Sequence, residues 1–97
     1  MSAIFGELIT FSQEKGPDVQ LKVFGDEFYA RYETKDGYTV IYDHDIGRFT
    51  YTLLNDGQFI SSGICLDQDP PVGTIHHMEE SIDVISEKSK KRFSRRQ

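Results

Sequence analysis

The run His76-His77-Met78-Glu79-Glu80 carries the side chains best suited to hold a metal ion. A helical zinc site places two histidines four positions apart with a glutamate after the first, so that both rings leave one helix face. Here the histidines are adjacent, and on a helix they diverge by about 100°. His44 is far away in sequence. The run therefore reads as a polar cluster at a helix start, and no metal or other cofactor is expected. Asp43-x-Asp45-x-Gly47 opens like a calcium loop, yet Leu54 stands where the bidentate glutamate belongs. An Asp- and Gly-rich β-turn accounts for it. Ser61 and Ser62 have no base close in sequence, and there is no glycine-rich phosphate loop. No catalytic residue is assigned.

Cys65 is the chain's one cysteine, so it permits no internal disulfide and does not fix the redox compartment. At the end of a predicted strand, its thiol has two readings. It coordinates the zinc of a partner protease as a blocking ligand, or it packs as a small half-buried apolar side chain.

The elements that would position these residues are legible as alternation. Ile4 to Phe11 is an apolar run bounded by a polar turn, Gln13 to Asp18. Val19, Leu21 and Val23 face one way against Asp18, Gln20 and Lys22, the period of a half-buried strand. Phe28, Ala30 and Tyr32 repeat this against Tyr29, Arg31 and Glu33. Lys35-Asp36-Gly37 turns the chain into Tyr38–Tyr42, and Asn55-Asp56-Gly57 joins Arg48–Leu54 to Gln58–Ile64 as a tight hairpin. Five of the twelve Phe and Tyr residues fall within 23–40, which places much of the core there.

Pro70-Pro71 and Gly73 close the sheet region. Beyond them Ile75, Met78, Ile82 and Ile85 recur at three and four, with Ser89 and Phe93 in phase, which predicts one amphipathic helix. The expected fold is α+β and mostly β: a small antiparallel meander of six or seven strands over residues 1–74, then a C-terminal amphipathic helix with a basic tail over 75–97. No apolar run reaches the roughly 20 residues that span a bilayer, so no membrane partner is expected.

The net charge of −5 is divided unevenly. Residues 1–87 hold all 16 acids and five bases, a net of −11, while residues 88–97 hold the other six bases and no acid, a net of +6. An acidic body repels the phosphates of nucleic acid, and the basic end reads as a solvated helix terminus or linker. An exposed edge strand leaves a homodimer open.

Phe24-Gly25-Asp26-Glu27-Phe28-Tyr29 and Tyr32-Glu33-Thr34-Lys35-Asp36-Gly37-Tyr38-Thr39-Val40 together resemble the segment that precedes the catalytic domain in the M6, or immune inhibitor A-like, zinc metalloproteases. The likeness extends through Phe49-Thr50-Tyr51, Ser62-Gly63-Ile64 and Asp69-Pro70-Pro71 to Ser81. It implies a non-catalytic pro- or accessory domain that contacts a peptidase domain, in cis or in trans, as a folding aid or an inhibitor. Neither the family's secretory signal nor its HExxH stands in these 97 residues. The chain as it stands is expected in the cytoplasm, or outside the cell if it belongs to a secreted precursor. For such a domain, Ser61–Gly73 is the segment suited to a partner's cleft, with Cys65, Asp67, Asp69, Pro70 and Pro71 as the contact residues. Pro70-Pro71 keeps the backbone extended, and the two aspartates can approach a metal. Phe93-Ser94-Arg95-Arg96 resembles a basic linker open to proteolytic processing. The alternative is a stand-alone interaction module with an acidic sheet and a basic tail.

Overall fold

The computed structural model describes residues 4–26 and 28–96, with backbone alone over 92–96. Six strands form one antiparallel meander: β1 (Ile4–Gln13), β2 (Gly16–Gly25), β3 (Ala30–Glu33), β4 (Thr39–Asp43), β5 (Arg48–Asn55) and β6 (Gln58–Cys65). One helix, α1 (Ile82–Arg96), follows. No helix among the described residues is long and apolar enough to cross a membrane.

Local chemistry sets the corners. Asp56 and Gly57 both take positive φ, 52° and 77°, the backbone that a two-residue hairpin needs to match strand twist. At the end of β2, Gly25 has φ 136°, and a Cβ there would lie 2.1 Å from the Tyr29 carbonyl oxygen. Only glycine lets the chain pass so close. Asp26 then accepts hydrogen bonds from the Phe28 and Tyr29 amides at 2.8 and 3.0 Å, which locks the connection to β3. The β4–β5 corner is likewise a turn in which the Asp43 carboxylate accepts from the Asp45 and Ile46 amides.

The sheet curls until the tip of the first hairpin reaches the β4–β5 turn. There the Lys15 amide bonds to the Gly47 carbonyl at 3.0 Å, Arg48 Nε donates to the Lys15 carbonyl, and Gln13 Oε1 accepts from the Phe49 amide. Inside the curl, Leu21, Val40, Phe49 and Tyr51 form the buried core, with Phe11, Val19, Tyr32, Tyr38 and Tyr42 packed around it. The period-two reading of β2 is thus correct, and the rings meet edge to face.

Part of the outer face, over β3 to β5, is buried too, and it is polar. Glu33, Thr39, Thr50 and Thr52 lie there under a strap, residues 74–81, that crosses the sheet before α1. This corrects the expected helix start at Ile75. His76 bridges to Tyr38, the His77 amide donates to Gly37, and the Ser81 amide donates to Gly57, so tertiary partners claim the amides that a helix would use. His77 itself has φ 55°. Ser81 is the true cap: its side chain accepts from the Val84 amide and its carbonyl from the Ile85 amide. Within the strap Met78 is buried, whereas Ile75 there and Ile82 at the start of α1 are exposed. The side chains of Phe93–Arg96, where the processing linker is read, lie outside the described residues, and their backbone belongs to α1.

Thr50 Oγ1 shares a 2.7 Å hydrogen bond with Ser61, but Thr52 Oγ1 is buried with no partner among the described residues. A buried hydroxyl left unpaired costs about 1–3 kcal/mol. Thr52→Val, which keeps the shape and removes the hydroxyl, is expected to stabilise the protein by about 1 kcal/mol, or roughly 4–8 °C in Tm by thermal unfolding. An unchanged or lowered Tm contradicts this account.

Candidate functional site

Two places on the molecule bring ionisable side chains together. The first lies where the strap meets the sheet. Glu33 is fully buried, and its carboxylate takes a hydrogen bond from Arg31 and a 2.8 Å contact from His77 Nδ1. The Arg31 guanidinium also lies 4.7 Å from the centre of the Phe24 ring. On either side of His77, Tyr38 stacks on His76 at 4.4 Å, and Thr39 Oγ1 donates to the Met78 carbonyl at 2.7 Å.

Glu80 anchors the far end of the strap. One carboxylate oxygen accepts from the Tyr29 hydroxyl at 2.7 Å, the other from the Phe59 amide at 2.8 Å, and Lys88 of α1 donates to both. Burial pushes the Glu80 carboxyl upward, but the bonds from Lys88, Phe59 and Tyr29 outweigh it and hold it below the ordinary range. Burial, followed by the hydrogen bond to Glu80, raises the Tyr29 phenol far above its usual value. Tyr29 therefore stays a donor throughout the working pH range. The arrangement is a charge-assisted clamp.

The second place is the segment after β6. Cys65 ends β6 opposite Thr50 and is a half-buried free thiol. Asp67 is 69% exposed and lies 3.6 Å from Arg48, an ion pair of the weak surface kind. Asp69 is exposed, and Pro70 and Pro71 are half-buried. The five residues lie on one connection at the surface. His76 and His77 sit on the strap rather than on a helix, and His77 is engaged with Glu33. Among the described residues, no three or more His, Cys, Asp or Glu side chains gather as a metal site.

The clamp residues escaped the sequence reading for a definite reason. Alternation assigned Tyr29, Arg31 and Glu33 to the solvent face of β3, which is correct for a sheet with one bare face. The strap covers that face, and no local pattern in β3 announces it. The available signal was the set of charges on that face, which asks for partners once the face is covered.

Comparison with protein-family models, with curated proteins and with solved structures returned no match.

Because the folded Glu80 carboxyl lies below its ordinary value of 4.5, its stabilisation is complete above that pH and is lost as pH falls through the folded value. Glu80→Gln is expected to cost about 1.5–3 kcal/mol near neutral pH in denaturant unfolding. The gap between the two proteins should close as pH drops below 4.5. A gap independent of pH would exclude the charged clamp.

Proposed function

We propose that this chain is a non-catalytic pro- or accessory domain that acts by protein–protein contact, of the kind that precedes the catalytic domain in M6-type zinc metallopeptidases. One observation carries the reading. The residues that carry the resemblance are the ones that hold the strap. Tyr29 bonds Glu80, Glu33 meets His77, Gly37 accepts the His77 amide, Tyr38 stacks on His76, and Thr39 bonds the Met78 carbonyl. In this chain the motif fixes the path of residues 76–81 and the point where α1 begins. A scaffold that presents surfaces in a set geometry suits a domain that docks on an enzyme, and it requires no reactive group of its own.

The surface segment from Cys65 to Pro71 supplies the contact. It turns at Cys65–Gln68, where the Gln68 amide donates to the Cys65 carbonyl at 3.1 Å, and it presents two aspartates, Asp67 held by a weak ion pair to Arg48. A stand-alone interaction module is the second reading, favoured by edge strand β1, which exposes Phe5 at 84% and Leu8 at 47%. Those side chains beside an open strand edge suit pairing with another chain, a second copy included.

The test is to add the purified chain to the catalytic domain of an M6-type peptidase and measure both hydrolysis and the yield of active enzyme on refolding. A fall in the first or a rise in the second is expected, and no change in either overturns the reading. In the cleft-contact form, Asp67→Ala with Asp69→Ala should weaken inhibition by about tenfold, or about 1.4 kcal/mol, without altering the fold. Equal inhibition by the double variant would exclude that form.

A further inference from the structure

The ladder between β3 and β4 has only two registered pairs, Tyr32↔Val40 and Glu33↔Thr39. On either side the sheet continues. β2 pairs with β3 through Phe24↔Arg31 and Gly25↔Ala30, and β4 pairs with β5 through Ile41↔Thr50, Tyr42↔Phe49 and Asp43↔Arg48. Neighbouring strands ordinarily lie about 4.8 Å apart. Here they part beyond Tyr32 and Val40, so Ala30 and Arg31 have no partner on β4, and a cavity of ≈ 410 Å³ occupies the opening. Small-molecule sites run from about 300 to 1,000 Å³.

The two ends of this cavity differ. At the inner end, Phe11, Tyr32 and Phe49 meet one another edge to face at centroid distances of 5.4, 5.7 and 6.1 Å, a rigid aromatic wall. At the outer end stand Arg31, Glu80 and the helix lysines Lys88 and Lys91. Arg31 is matched by Glu33, and Lys88 by Glu80. Lys91 has no such partner among the described residues, which leaves one positive charge at the mouth.

We propose that the opening between β3 and β4 is a binding site for a small aromatic monoanion, its ring against the Phe11–Tyr32–Phe49 wall and its carboxylate at Lys91. The wall selects a flat apolar body, because edge-to-face rings leave a fixed surface rather than a mobile one. The single unmatched lysine selects one negative charge, since a cation there would meet Lys91 uncompensated while Lys88 and Arg31 are each offset by a carboxylate. The site is separate from the 65–71 segment, and it stands whether or not the chain docks on a peptidase.

Naphthoate and naphthylmethylamine share a ring system and differ in the sign of their charge. Titrating each into the full chain while following amide NMR spectra tests both halves of the site. Naphthoate should shift the amides of Ala30, Arg31, Ile41 and Tyr42 saturably, with a dissociation constant of about 1 mM or tighter, and the amine should bind about tenfold more weakly. Lys91→Glu, an exposed change on α1, should reverse that preference. Ala30→Phe, which fills the opening, should abolish binding of both probes. Shifts scattered over the surface, equal binding of the two probes, or a preference untouched by Lys91→Glu would each overturn the proposal. Because Lys91 lies outside the core, a failure of Ala30→Phe to fold leaves the charge test decisive.

Discussion

A carboxylate withdrawn from water must find donors or give up its charge. That constraint governs the outer half of this molecule, where Glu33 and Glu80 are both buried. Each is answered at least in part by a group distant in sequence. Glu33 draws on Arg31 and on His77, 44 positions away, and Glu80 on Tyr29, the Phe59 amide and Lys88. These bonds pin the strap to the sheet at both ends. Without the strap, the carboxylates and the threonines beside them would return to solvent, and the second face of the sheet would be bare.

The inner face follows a different rule. It is held by burial of aromatic and aliphatic side chains within the curl, whose hydrophobic driving force is non-directional even though the rings settle edge to face. It is closed between the first hairpin tip and the β4–β5 turn by one main-chain bond and the side-chain bonds of Arg48 and Gln13. The molecule thus divides its work. Apolar area gives the sheet its curvature and most of its stability, while directed, charge-assisted bonds decide how residues after position 74 lie across it.

This division explains what was legible in the sequence. Asp56-Gly57 announced its hairpin because positive φ is a property of the residues themselves, and the alternation around Leu21 announced β2 because burial on one face leaves a period of two. The start of α1 was misplaced because Ile75 and Met78 fall in helical phase with Ile82 by spacing alone. The bonds to the Gly37 and Gly57 carbonyls that prevent a helix there come from parts of the chain 40 and 24 positions earlier. The parting of β3 from β4 was illegible for a related reason. A missing ladder pair is a statement about two strands at once, and neither Ala30-Arg31 nor Ile41-Tyr42 looks different from a paired segment. Pro70-Pro71 marked the end of the sheet because proline punctuates any sequence in which it occurs, and that punctuation says nothing of what the 65–71 segment contacts.

The strap's main-chain partners have an implication for the order in which the fold assembles. The carbonyls that receive it belong to Gly37 and Gly57, each at a corner between two strands: Gly37 between β3 and β4, Gly57 between β5 and β6. The strap can bond to both only after both corners have formed and the strands between them have brought the corners into line. Its path therefore depends on both corners at once, which ties it to the second half of the sheet. α1, capped by Ser81, inherits that dependence, so its origin is set by two corners of the sheet rather than by the helix's own residues.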